Sequence, residues 1–158
     1  MKPGLAALLL LGFVSAYFGQ GVSSVQGRIL VEPTYPPSFG DELSLTFTDV
    51  EGRALVDVVV SERVKTTSFR GSRGEVKLQK DGTFKLILPS RELRLIVRQR
   101  SVPADASIQT DTYFLKSAQA GGLNLLEKTF IVGPTFSGEI VLTFGKCTPQ
   151  TQAECVGK

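Results

Sequence analysis

The chain of 158 residues contains no histidine and no tryptophan. Without histidine there is no Ser-His-Asp or Cys-His relay, and no imidazole to ligate a metal. Cysteine is scarce: Cys147 and Cys155 are the only two. Neither follows the N-terminal apolar run, so an anchor of the lipoprotein type is not expected. Apolar runs are missing beyond that start, whereas a membrane helix needs about 20 apolar residues. Charge of one sign is also lacking. The 18 basic and 15 acidic residues give +3, or +2 once Lys2 is removed with a leader. That balance is too slight to imply nucleic acid or an anionic membrane as partner.

What is present begins with a leader pattern. Lys2 precedes the apolar run Leu5–Val14, and Val14-Ser15-Ala16 offers the small residues a signal peptidase selects. Residues 1–16 are therefore expected to be a signal peptide, with Gly21 as the latest cleavage site. The run is short for an anchor, so the mature chain should carry no transmembrane span and be secreted or periplasmic. In such a compartment two cysteines favour a disulfide. It would close the small loop CTPQTQAEC in a C-terminal tail, 146–158. The rival reading, a pair of metal-binding thiolates, needs further ligands nearby.

The rest reads as β-strand. Val25, Gly27, Ile29 and Val31 share one face of SVQGRILVE. Leu43, Leu45 and Phe47 alternate with small polar residues, and Val56, Val58 and Val60 are in phase. Val76 and Leu78 mark a further strand. In KDGTFKLILPSRELRLIVR, Asp81-Gly82 signals a hairpin, since glycine takes the positive φ such turns require. Phe84, Leu86 and Leu88 face inward, Pro89-Ser90-Arg91-Glu92 turns the chain, and Leu93, Leu95 and Val97 return to the buried face. This predicts a meander of half-buried strands. After the polar loop SVPADASIQTD come TYFLKSAQ, a Gly121-Gly122 break, LNLLEKTFIV and GEIVLTFG. Seven to nine strands at this spacing predict one antiparallel β-sandwich over residues 22–145.

VQGRIL, KDGTFKLILPSRELRLIV and the closing GEIVLTFG resemble the carboxypeptidase regulatory-like domain, a transthyretin-like (prealbumin-like) β-sandwich of exported bacterial proteins. Val25, Gly27, Asp81, Gly82, Phe84 and Pro89 match its pattern. Pro89-Ser90-Arg91-Glu92 replaces the family's Pro-Gly turn, and Leu93 stands where the family has tyrosine. The resemblance covers about two thirds of the mature chain and implies a non-catalytic accessory, spacer or binding module, with no cofactor.

Candidate chemistry is sparse. Carboxylate pairs of the glycosidase type are conceivable at Asp41-Glu42, Asp49-Glu51 and Asp105-Asp111, but all lie in predicted loops. Gly71-Ser72-Arg73-Gly74 lacks the lysine and hydroxyl ending of a phosphate loop. A Lys–Asn isopeptide bond would need lysine on the first strand and Asn or Asp on the last; Arg28 and Glu139 or Thr143 stand there.

Two surfaces remain. Lys77, Lys85, Arg94, Arg98 and Arg100 share the outward phase of three successive strands, either as a positive patch or as a solvated face that discourages aggregation. Tyr35 and Phe39, among the prolines of PTYPPSFG, either offer rings to a sugar or protein or fold back to cap the sandwich. The candidate ligand-binding residues are thus Tyr35, Phe39, Arg94, Arg98 and Arg100. The expected partner is a protein or a polysaccharide, with no nucleic acid. The alternative is an assembly component that docks by a strand edge or the tail.

Overall fold

Burial alternates residue by residue along the chain, as a strand with one wet face requires. Residues 21–101, 111–136 and 138–156 are described by the structure, a computed structural model. The expected leader, its cleavage site after Ala16, and Asp105 lie outside the described residues. The strands are β1 (Val22–Glu32), β2 (Glu42–Thr48), β3 (Ala54–Ser61), β4 (Ser68–Arg70), β5 (Arg73–Lys77), β6 (Thr83–Pro89), β7 (Glu92–Arg100), β8 (Tyr113–Ala120), β9 (Leu123–Asn124), β10 (Phe130–Ile131) and β11 (Ile140–Lys146). One short helix, α1 (Gln152–Cys155), follows. Eight of these strands have five residues or more; β4, β9 and β10 are short ladders, the last two lying at the ends of LNLLEKTFIV.

The fold is mostly β and comprises two sheets. One has the order β6-β1-β11-β8-β9, the other β10-β7-β2-β3-β5-β4. Their buried side chains form one apolar cluster, with Ile29, Leu86, Leu142 and Phe144 from the first sheet and Leu43, Phe47, Val58 and Leu93 from the second. Burial of this kind is worth about 1.5–3 kcal/mol per large side chain. No helix among the described residues is long and apolar enough to cross a membrane.

Two expectations change. The sheets are mixed, not antiparallel, because β1 pairs in parallel with β11 and β3 with β5. Alternation shows which face is buried but is silent on the direction of the neighbour. The meander also dissolves. β5 and β7 belong to the six-stranded sheet, whereas β6 belongs to the five-stranded one. The Asp81-Gly82 turn does form, with Gly82 at φ +83° and its N–H donating to the Gln79 carbonyl at 3.0 Å. It passes the chain between sheets instead of closing a hairpin. The Gly82 carbonyl accepts from the Ile29 N–H at 2.8 Å, which draws β6 onto β1. LNLLEKTFIV likewise divides: β9 joins β8, and β10 joins β7 in the other sheet.

Candidate functional site

The loop at Tyr35 and Phe39 folds back on the core. Phe39 is fully buried, its ring centroid 5.2 Å from Phe144 and 5.5 Å from Tyr113. Phe39 is therefore a core residue and not a surface aromatic. Tyr35 is half-buried, 6.5 Å from Phe39 ring to ring. Glu62 holds the loop down. Its carboxylate accepts from the Phe39 N–H at 2.8 Å, the Ser38 hydroxyl at 2.8 Å and the Tyr35 hydroxyl at 3.3 Å. Burial pushes the Tyr35 phenol well above its ordinary range, and the nearby Glu62 charge adds to this.

The basic stripe breaks up for the reason that the meander does. Lys85 lies on β6 in the five-stranded sheet, and Lys77 on β5 is separated from β7 by β2 and β3. Arg94, Arg98 and Arg100 stay together on the outer side of β7, all exposed. None of the three has an ion-pair partner among the described residues.

Two of the weighed carboxylates, Asp49 and Asp111, have basic partners. Asp49 is buried, which pushes its carboxyl up. The N–H of Arg53 at 2.8 Å and its Nε at 2.6 Å outweigh this and hold the pKa below the ordinary value. Asp111 pairs with Lys146 at 3.0 Å. Where an isopeptide would stand, Arg28 and Glu139 form an ion pair at 3.0 Å. No group of three or more metal-ligating side chains converges among the described residues. The Cys147 and Cys155 sulfurs are at bonding distance, 2.08 Å, with α1 inside the loop they close.

A groove of about 810 Å³ opens between the end of β7 and the start of β8. Val97, Arg98, Gln99, Tyr113, Lys116 and Leu126 are among its lining residues, and the disulfide forms part of the wall. It therefore joins an apolar floor to two cationic side chains, of which Lys116 is paired with Glu32. A polar pair, half-buried Gln99 in the lining and buried Asp41 behind it, lies at its edge. Gln99 Nε2 donates to Asp41 Oδ2 at 2.6 Å and to the Tyr113 carbonyl at 2.9 Å. Burial raises the Asp41 pKa, and the hydrogen bond from Gln99 offsets part of that rise.

Arg98 is the one sequence-derived candidate that lines this groove. Asp41 was weighed only as half of a carboxylate pair with Glu42, and Gln99 carries neither charge nor ring to mark it. A signal was nevertheless present: in ELRLIVRQR, Gln99 occupies the inward phase of Leu93, Leu95 and Val97. A polar residue in that phase requires a buried partner.

No protein-family model, no curated protein and no solved structure matches the chain.

Proposed function

We propose that this chain is an exported, non-catalytic binding module of the transthyretin-like β-sandwich type, acting on a protein or glycan partner in the periplasm, in the cell envelope or outside the cell. The observation that carries the reading is the groove lined by Arg98, on the strand whose outer face also carries Arg94 and Arg100. A mixed apolar and cationic cleft flanked by unpaired arginines suits recognition of an anionic partner, because arginine forks match carboxylates and sulfates. The architecture is supported by two mixed sheets around one apolar cluster. Of the residues that carry the resemblance to the carboxypeptidase regulatory-like domain, Val25, Gly27, Asp81, Gly82, Phe84 and Pro89, three stand at structural positions: Gly27 and Phe84 at a close strand contact, Gly82 at a positive-φ turn. Export is supported by the leader pattern and by the cysteine pair, since disulfides persist in oxidising compartments.

The test uses the mature protein as bait on native cell envelope, in parallel with an acidic-polysaccharide array. Capture that is lost on changing Arg94, Arg98 and Arg100 to alanine supports the module. Turnover in a broad hydrolase screen would remove it. Intact mass of the exported protein reads the cleavage site directly, with loss of residues 1–16 expected.

A second reading, an assembly component docking by a strand edge, is favoured by β10. That short strand covers β7 only at Glu92 and Leu93.

A further inference from the structure

We infer that β7 is built to receive an added strand: an extended acidic segment of a partner protein, alternating acidic and apolar residues, paired along Leu95–Gln99. This deepens the binding reading above and rests on it.

Three observations converge. The first is the open row of peptide groups. β10 pairs with β7 through Phe130↔Leu93 and Ile131↔Glu92, and the Val132 N–H donates to the Arg91 carbonyl at 3.0 Å. The Arg91 carbonyl and, by the register, the peptide groups of Leu93 therefore face β10, while the Arg91 N–H is taken by the Pro89 carbonyl at 2.9 Å. By the alternation of an antiparallel ladder, Leu95, Val97 and Gln99 turn theirs to the same side, where β10 has ended. Among the described residues no backbone hydrogen bond reaches them from that side. An added strand would satisfy these groups, the mode by which extended peptides augment sheet edges.

The second is charge. Arg98 projects with Ile96 on the outer face of this open stretch, and Arg94 and Arg100 project on the same face just beyond its two ends. Residues of an added strand directly opposite lie about 4.5–5.5 Å away on the same face. Acidic side chains there would meet three cations that lack ion-pair partners. A second copy of β7 would set arginine against arginine, which opposes self-pairing.

The third is space. The inward residues of an added strand would point to the side of Leu95, Val97 and Gln99. The groove of about 810 Å³ lies there, with Val97 and the 45 % exposed Leu126 in its lining. Apolar side chains suit it. A polysaccharide could use the arginines but would leave the peptide row and the apolar floor unused.

The probe is the labelled peptide Val-Glu-Val-Glu-Val-Glu-Val-Glu-Val, long enough to face Arg94, Arg98 and Arg100 together, added to the full mature protein and read by fluorescence anisotropy and amide hydrogen exchange. The expected result is saturable binding with slowed exchange at the amides of Leu95, Val97 and Gln99. N-methylating one alternating set of peptide residues should abolish binding, and methylating the other set should be tolerated. Changing Arg94→Glu, Arg98→Glu and Arg100→Glu together should weaken binding by about tenfold or more. The same variant should gain affinity for the peptide in which lysine replaces glutamate, which also shows that it is folded. Binding indifferent to both methylations would overturn strand addition, as would no peptide binding while envelope protein or acidic polysaccharide is still captured. In those two outcomes the binding-module reading stands. Absence of capture in every assay would overturn both.

Discussion

Gln99 donates its side-chain N–H to Asp41 across 2.6 Å, and Asp41 is only 5 % exposed. The burial that raises the Asp41 pKa above 3.8 makes the folded protein hold this proton more tightly than the unfolded chain does. Between the two values the folded state binds more protons, so the Asp41 contribution to stability falls as pH rises through that window. Asp41→Asn should remove this slope. Urea unfolding at about pH 4 and about pH 7 should show the variant gaining on the native chain as pH rises. Parallel curves would refute the assignment. Gln99→Leu should cost about 1–3 kcal/mol above the window, where the buried carboxylate loses its donor.

Gly27 on β1 lies opposite Phe84 on β6, and a Cβ at Gly27 would come within 2.2 Å of that ring. Gly27→Ala should cost about 1–3 kcal/mol through overpacking, and Phe84→Ala about 3–5 kcal/mol through the cavity left behind. The double variant should cost less than the sum, because without the ring the added methyl is harmless. Denaturant melts of the four proteins measure the coupling; simple additivity would mean that the two residues do not meet.

Glu62 ties down three groups of the loop that ends at Phe39. Glu62→Ala should lose about 1–3 kcal/mol and loosen this loop, seen as faster exchange of the Phe39 amide. Glu62→Gln should bring the Tyr35 phenol part of the way back toward its ordinary value, since the charge is gone while the burial remains. Ultraviolet titration reads this directly. Phe39→Ala should destabilise by about 3–5 kcal/mol, as a core residue would and a solvent-facing ligand ring would not.

Cys147 and Cys155 close a loop in which the Thr151 hydroxyl donates to the Lys146 carbonyl at 3.0 Å and accepts from the Thr148 N–H at 2.8 Å. Replacing both cysteines by serine should cost about 2.5 kcal/mol at most by loop entropy. The loss of exchange protection should concentrate in residues 146–156, leaving the amides of β2 and β7 protected. A collapse of protection throughout both sheets would show that the loop supports the core.

The faces of the strands were legible from the sequence because period two leaves no freedom: Val25, Phe84, Leu86, Leu93 and Leu95 all face inward as read. Gly27 and Phe84, singled out by a family pattern, prove to be one contact. Sheet membership was not legible. Phe84 on β6 and Leu93 on β7 enter the same core from opposite sheets, and alternation looks the same from either side. The turn between them sets only a reversal. For Phe39 the sequence left two readings open, an offered ring or one folded back on the sandwich, and could not decide between them because the anchoring Glu62 lies 23 residues further on. Gln99 shows the converse: it shares the inward phase of Leu95 and Val97, but its partner Asp41 sits 58 residues away, beyond any local rule.

The parallel pairing of β1 with β11 sets the order of events during synthesis. Gly27 lies beside Ile140 and Glu32 beside Gly145, in the middle of the five-stranded sheet. Until β11 has been made, β1 has β6 alone as neighbour, and β8 has only the two-residue β9. The seam that joins the two halves of this sheet closes last, and contacts so far apart in sequence form slowly. A nascent chain of this design leaves its five-stranded sheet in two halves until β11 emerges. For a chain read as exported, late closure leaves time to cross a membrane before there is a folded body to obstruct the channel.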